Sequence, residues 1–334
     1  MERTTISVGV LGVSSFAVRR MIPAFQSSGL IKVTAIASRD PDKARSAAQD
    51  LSCGRAFADY DELIAYSEID AVYIPLPNSL HYEWAHKALL LGKHVFVEKP
   101  LAVCSDQARD LFALADSRGL VLRENFAFEH HPRHQTARIL LTSGRIGEIR
   151  SLNSAFCIPA RSADDIRYRA HLAGGSLRDV GVYPLRAAQF FLGSTLKVAG
   201  SVLRMDRRSG VDVSGSALLY TDNGVTATVD FGFEHHYGAH YTLWGSAGKM
   251  SGQRAFAIDP SESPSLLVHR SDGSKTIPLP PQDQYVGSAQ SFARAIHASR
   301  VRGASSYLPY SPWDAASLKT AELVDDIIAT AQMA

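Results

Sequence analysis

Over its first 125 residues this chain alternates short apolar runs with amphipathic stretches, and that alternation restricts the fold more than any other feature. Ser7–Leu11, Lys32–Ala37, Ala71–Ile74, His94–Val97 and Leu120–Glu124 read as strands. Phe16–Ser28, Pro41–Leu51, Leu80–Leu91 and Asp106–Arg118 read as helices between them. Gly29, Gly92 and Gly119 close three of these helices, and Asp40 with Pro41 opens another as cap and first helical residue. Strands alternating with helices need right-handed crossovers, which leave the strands parallel. The expected class is α/β, with a doubly wound parallel sheet.

Beyond about residue 150 the texture changes. Ser151–Ile158 reads as a strand and Gly174–Leu192 as a helix. Four β-rich runs follow: Lys197–Met205, Val211–Tyr220, Val225–Phe233 and Tyr241–Trp244. Thr221-Asp222-Asn223-Gly224 marks a hairpin, because Asn-Gly tolerates positive φ. These runs predict a C-terminal α+β domain with a large, open, mostly antiparallel sheet. Helices near Tyr285–Ser299 and Pro312–Met333 end the chain. The expected domains are residues 1–125 and 126–334, with the C-terminal helix packing back on the first.

With 334 residues, 46% hydrophobic and 20% charged, the chain has the composition of a globular protein with a sizeable core. A formal charge of +2 is too small to argue for nucleic acid or an anionic membrane surface. No apolar run reaches the roughly 18 residues of a membrane span, and the first residues lack the basic and apolar regions of a signal peptide. Cys53, Cys104 and Cys157 are odd in number and lack CxxC spacing, so reduced structural thiols in the cytoplasm are expected.

The run from Val8 to Ala17 follows the first strand and opens a helix. Gly12, Ser14 and Ala17 form a degraded G-x-G-x-x-G/A fingerprint, with Ser15 and Phe16 inside it. Its glycine makes the tight turn, and its small residues let backbone N–H groups approach a pyrophosphate. The second strand ends at Ser38-Arg39, where an NAD site carries an acidic residue for the ribose; Lys43 follows one turn on. A hydroxyl and a guanidinium suit a phosphate, so NADP(H) is expected over NAD(H). The third strand runs into Pro75-Leu76-Pro77-Asn78 and then His81, placing Leu76, Pro77, Asn78 and His81 near the nicotinamide ribose. His81 also fits a surface group at a helix start.

Two short runs carry the chemistry. Glu98-Lys99-Pro100 places a lysine at the end of the strand Val95-Phe96-Val97. The run Gly174 to Pro184 opens a helix with two glycines, then sets Asp179 and Tyr183 four residues apart, on one helix face. A ketone reduction needs a hydride at carbon and a proton at oxygen. A phenol of ordinary pKa about 10 can give that proton when a cation lies near it. Lys99 is that cation, and it can itself donate a hydrogen bond to the developing alkoxide; either group fits as the immediate donor. Asp179 orients Lys99 or the substrate, and Glu98 holds the cofactor edge or Lys99. Pro100 admits a cis peptide before it. Asn125, at the end of the fifth strand, fits nicotinamide or sugar contact and equally a strand cap. Arg161, Arg167 and Arg169 precede the glycine helix, where a diphosphate or solvent would meet them. His130-His131-Pro132-Arg133-His134 has ligand-like spacing but no acidic or cysteine partner nearby in sequence. Surface or packing histidines at a helix start are expected there, with no metal site.

Taken together, the degraded fingerprint, Pro-x-Pro-Asn…His, Glu-Lys-Pro and Gly-Gly-x-x-x-Asp-x-Gly resemble the glucose–fructose oxidoreductase / inositol dehydrogenase family across essentially the whole chain. The resemblance implies a Rossmann domain, an α/β domain with an open sheet, and dimers or tetramers joined through sheet faces. Tyr183 stands where the family usually has histidine. That departure points to branches with Asp-x-Gly-x-Tyr: sugar C-3-ketoreductases of dideoxysugar biosynthesis, dihydrodiol dehydrogenases and aldose dehydrogenases. The runs Ala71–Pro77, Glu124–Pro132, Asp165–Tyr168 and Gly181–Ala188 look most like NADPH-dependent nucleotide-sugar C-3-ketoreductases. For that branch the resemblance implies a dTDP-3,4-diketo-2,6-dideoxyhexose substrate and adds Tyr168 to the substrate side. Tyr237, Tyr241 and Gln284 join it by fold analogy. An NADP-dependent aldose or dihydrodiol dehydrogenase and a non-catalytic cofactor-binding sensor are the competing readings.

Overall fold

The computed structural model describes residues 5–302 and 312–334. In chain order the elements begin with β1 (Ile6–Leu11), α1 (Ile22–Ser27), β2 (Ile31–Ala37), α2 (Pro41–Asp50), β3 (Arg55–Phe57), α3 (Tyr60–Ala65), β4 (Ala71–Ile74), α4 (His81–Leu90), β5 (His94–Glu98), α5 (Ser105–Ser117) and β6 (Leu122–Asn125). There follow α6 (Pro132–Thr142), β7 (Ile149–Cys157), α7 (Val182–Leu192), β8 (Lys197–Asp206), β9 (Val211–Tyr220), β10 (Thr226–Gly232), β11 (Gly238–Gly245), β12 (Gly248–Gln253), β13 (Ser265–Arg270) and β14 (Gly273–Pro278). The last are α8 (Gln284–Arg302), α9 (Pro312–Thr330) and β15 (Ala331–Met333). The chain divides into two compact units, residues 1–126 with 285–317 and residues 127–284 with 318–334.

In the first unit six parallel strands lie in the order β3-β2-β1-β4-β5-β6. The order reverses between β1 and β4, and the carboxyl ends of strands at such a switch point form the ligand crevice of doubly wound sheets. β4 is buried at every position, as expected of a strand covered on both faces. Phe25, Tyr73, Phe96 and Phe292 pack in tilted and edge-on pairs with centroids 4.9–5.7 Å apart, so α8 belongs to this core. β3 and α3 have no counterpart in the sequence reading. Three residues, Arg-Ala-Phe, carry too little alternation to register as a strand.

The second unit holds nine strands in the order β14-β13-β12-β11-β7-β10-β9-β8-β15. Pairs β7–β10 and β8–β15 are parallel and the rest antiparallel. One face is buried and the other open, so burial alternates along β9 and β11. Val229, Phe231, Tyr241, Leu243 and Met250 are buried, and α7 packs on β7 and β10. Val202, Leu218, Tyr220 and Trp244 are exposed. Gly224 takes φ +81° in the expected Asn-Gly hairpin.

Several boundaries depart from expectation. The chain's last strand replaces the expected end of a helix: residues 331–333 pair with Ser201–Leu203. Strands β12–β14 escaped the sequence reading because Gly, Ser and Lys interrupt their apolar pattern. Helix α6 begins where a helix start was expected, with His131 as its cap and Pro132 as its first residue, but its run to Thr142 was not read. The helix expected from Gly174 starts at Leu177, and its first turn, Leu177–Gly181, is a wide i→i+5 turn. A matching wide turn, Ala17–Met21, precedes α1. Such turns recur at functional sites.

Candidate active site

The residues at the carboxyl ends of β1 and β2 fit a dinucleotide. Gly12 adopts φ +104°, donates its N–H to the Ala37 carbonyl, and would meet Leu76 Cδ2 at 2.9 Å if it carried a Cβ. Only glycine gives both the turn and the clearance. Ser14 Oγ accepts the Ala17 N–H at 3.1 Å and caps the wide turn; Ser15 is exposed and Phe16 half-buried. Phe16 stacks edge-on against Tyr285, centroids 5.6 Å apart. Ser38 is buried and its Oγ accepts from the Asp40 N–H, while Arg39 and Lys43 are exposed. Lys43 Nζ lies 3.9 Å from Asp40. Arg39 hydrogen-bonds the Tyr60 hydroxyl; burial raises that phenol's pKa, and Arg39 pulls it down. A hydroxyl and an exposed guanidinium in the two positions after β2, with the Asp40 carboxylate turned to the N–H groups of Asp42 and Lys43, match the donor set of an NADP phosphate.

A connected polar network runs beside Lys99. Glu98 Oε1 accepts from the Tyr73 hydroxyl at 2.8 Å and from Asn125 Nδ2 at 2.7 Å. Asn125 Oδ1 in turn accepts from Ser288 Oγ at 2.8 Å. Although Glu98 is partly exposed as a residue, desolvation raises its carboxyl above the usual range, opposed by Asn125, Tyr73 and the Lys99 charge. Lys99 is half-buried, and the Lys99-Pro100 peptide is cis. Tyr73 and Ser288 were missed in the sequence. A tyrosine inside a four-residue, fully buried strand was the available signal for the first.

His81 is fully buried rather than a surface group. Its Nδ1 lies 2.7 Å from the Pro100 carbonyl and its Nε2 2.7 Å from the Leu76 carbonyl. Both ring nitrogens therefore face backbone carbonyls. Two facing carbonyls are fully satisfied by a doubly protonated ring and half satisfied by either neutral one. Burial pushes the ring's pKa below its usual value, the two carbonyls pull it up, and the Lys99 charge pushes it down. Leu76, Pro77 and Asn78 are half-buried at the end of β4.

In the second unit Asp212, on β9, organises the glycine-led turn. Its Oδ2 accepts from Ser176 Oγ at 2.7 Å and the Leu177 N–H at 2.6 Å, placing a carboxylate at the helical N-terminus. A Cβ on Gly175, at φ +114°, would overlap Asp212 Oδ1, and one on Gly174 would overlap the Arg167 carbonyl. Both glycines are thus explained by close approach. Asp179 lies in the wide turn and Tyr183 at the start of α7, half-buried among Phe156, Phe256 and Phe128 at centroid distances of 5.2, 5.5 and 6.2 Å.

The arginines divide. Arg167 donates from Nε to Asp179 Oδ2 at 2.6 Å and from Nη1 to Asp165 Oδ1 at 3.1 Å, which raises its pKa, chiefly through Asp179. The Arg167 guanidinium is thus paired with two carboxylates. Arg169 is exposed and lies 3.1 Å from Asp164; Arg161 is exposed. Tyr168 accepts from the Arg161 N–H and packs edge-on against Phe233. Tyr237 is exposed and packs against Phe156. Tyr241 and Gln284 are buried, and Gln284 Nε2 donates to the Phe256 carbonyl at 3.0 Å. His131 and His134 are buried, as the packing reading of these histidines expected. Arg133 between them donates to the Gln253 and Arg254 carbonyls.

Residues 6–126 match the family model described as an oxidoreductase family with an NAD-binding Rossmann fold, and residues 134–251 match the GFO/IDH/MocA C-terminal domain. The chain is 46% identical over 324 residues to a dTDP-3,4-didehydro-2,6-dideoxy-alpha-D-glucose 3-reductase of Streptomyces violaceoruber, covering 96% of this chain and 94% of that one. It is 42% identical over 333 residues to the enzyme of that name from Streptomyces antibioticus, covering 100% and 99%. A solved 3-ketoreductase from Actinomadura kijaniata, in complex with NADP and TDP-benzene, superposes with a TM-score of 0.93 at 42% identity over 98% of both chains. With both domains matched and close to half of the residues shared over 96% of its length, the chain is a member of the GFO/IDH/MocA oxidoreductase family.

Proposed function

We propose that this protein reduces the C-3 keto group of a dTDP-3,4-diketo-2,6-dideoxyhexose with NADPH. The observation that carries the reading is the 46% identity, over 96% of the chain, to a reductase named for that substrate. The solved 3-ketoreductase with NADP and TDP-benzene supports both the cofactor and the nucleotide. Bound NADPH supplies the hydride that the carbonyl carbon receives. The Lys99/Tyr183 pair delivers the proton to the carbonyl oxygen, giving the C-3 alcohol. Lys99 stabilises negative charge growing on that oxygen. Asp179 orients the acid–base pair, and Gly12–Ala17 with Ser38 and Arg39 hold the cofactor.

The open face carrying Val202, Leu218, Tyr220 and Trp244 supports a homodimer or homotetramer through the C-terminal sheet. Three free cysteines support a reducing compartment, the cytoplasm.

The test is NADPH oxidation with dTDP-3,4-diketo-2,6-dideoxyglucose generated in the same tube by the preceding dehydratases. Rapid oxidation with a C-3 alcohol in the product is expected. No oxidation, alongside NADP⁺ reduction by free aldoses or dihydrodiols, rejects the ketoreductase.

A further inference from the structure

We infer that His81 is a positioning residue for Lys99, acting as a buried clamp that ties the Pro100 carbonyl to the Leu76 carbonyl. The inference rests on the proposed role of Lys99 in proton delivery. Three observations support it. The ring is fully buried, so its two contacts do not compete with water. Both contacts are 2.7 Å long, and they join the segment that follows β5 to the segment that follows β4. The residue whose carbonyl is held is the direct neighbour of Lys99, and Lys99 is close enough for its charge to act on the ring.

The geometry explains why a histidine stands at the first position of α4. A ring with nitrogens on opposite sides can reach two carbonyls that flank it, donating to both when doubly protonated and to one when neutral; an amide offers its donors from one end only. The carbonyl of Pro100 moves with the backbone that carries the lysine. Loss of the clamp therefore lets the Lys99 side chain sample a wider volume while the cofactor cradle at Gly12–Ala17 stays as it is. Misplacement of a reacting group by about 1 Å costs on the order of a hundredfold in rate.

The experiment compares His81→Phe, which keeps a planar ring without donors, with His81→Gln, which keeps a donor at one end. Lys99→Met is measured beside them. We expect His81→Phe to lower kcat by about thirtyfold or more with the Kd for NADPH, read by fluorescence quenching, within about threefold of wild type. His81→Gln should fall between the two in kcat. A second readout needs no turnover: in protein with 13C-labelled lysine, the Lys99 side-chain resonance, assigned by its loss in Lys99→Met, should shift and broaden in His81→Phe and less so in His81→Gln. An unmoved Lys99 resonance in His81→Phe, or a defect confined to NADPH affinity, overturns the inference. If His81→Phe does not fold, an unmoved resonance with wild-type kcat in His81→Gln overturns it equally. Full activity in Lys99→Met with a shifted resonance in His81→Phe would instead remove the catalytic reading and leave the clamp standing.

Discussion

Arg167 Nε donates to Asp179 Oδ2 at 2.6 Å, and the same guanidinium reaches Asp165 at 3.1 Å. A carboxylate in the turn that leads into Tyr183 is thereby held by a loop residue twelve positions earlier in the chain. This arrangement makes Arg167 a support for the turn from which Tyr183 projects, the segment proposed to deliver the proton.

Replacing Arg167 by Gln should therefore lower kcat by roughly tenfold to a hundredfold, the range for a misplaced catalytic group. The KM for the nucleotide sugar should change less than kcat. Steady-state kinetics of the variant check this; a loss expressed wholly in KM would return Arg167 to diphosphate binding.

Tyr183→Phe and Lys99→Met should each slow turnover by a factor on the order of 10²–10⁴, the usual contribution of a positioned proton donor. Tyr183 is half-buried, so its ring packing survives the change to Phe. Single-turnover NADPH oxidation, with circular dichroism as the control for folding, measures the effect. Near-normal rates in both variants reject the pair.

Arg39→Ala should shift cofactor preference. Loss of a charge-assisted contact to the phosphate, worth about 1.5–3 kcal/mol, predicts a fall of roughly tenfold to a hundredfold in kcat/KM for NADPH. The value for NADH should change little. The ratio of the two efficiencies is the measurement.

Gly175→Ala should destabilise the second unit. It forces an L side chain to φ +114° and drives a Cβ into Oδ1 of Asp212, the carboxylate whose Oδ2 accepts from Ser176 Oγ and the Leu177 N–H. A penalty of about 2–3 kcal/mol follows from backbone strain plus the displaced cap. Urea denaturation should show it as a lower midpoint.

Stability should fall between pH 6.5 and pH 4. His94 and His131 are both pushed from 6.5 to about 4, first by burial and then by the charges of Arg300 and Arg133 respectively. Each uses Nδ1 to accept a backbone N–H, from Val121 and Arg133, so a proton there breaks a hydrogen bond. The unfolded chain binds these protons near pH 6.5 and the folded one does not. Their stabilisation is therefore complete above 6.5 and is lost as pH falls toward 4, by up to about 3 kcal/mol each. The slope of the urea midpoint against pH should lessen in His131→Asn.

Much of the first unit was legible because its signals are local. Five strands, the Gly12 turn and the Asp40 cap lie within stretches whose periodicity and punctuation survive in one dimension. The placement of the proposed acid–base residues was legible for the same reason: Glu98 ends a strand with Lys99-Pro100 after it, and Asp179 and Tyr183 sit in one helical segment. The short strands β12–β14 were not, since Gly-Lys-Met-Ser-Gly-Gln becomes a strand only when neighbours on both sides pair with it. Asp212 was invisible as a cap because its partners, Ser176 and Leu177, lie about 35 residues away and meet it through the sheet.

The sequence by itself determined the class of fold, the cofactor turn and the presence of a lysine, a carboxylate and a tyrosine at element ends. Each of these depends on residue type and short-range spacing. Tertiary structure alone decided which polar groups are spent on one another. His81 is consumed by two carbonyls, Arg167 by two carboxylates, and Glu98 by Tyr73 and Asn125. Buried donors and acceptors must be satisfied by whatever the fold brings within about 3 Å, and that pairing is set by chain crossings that no local pattern records.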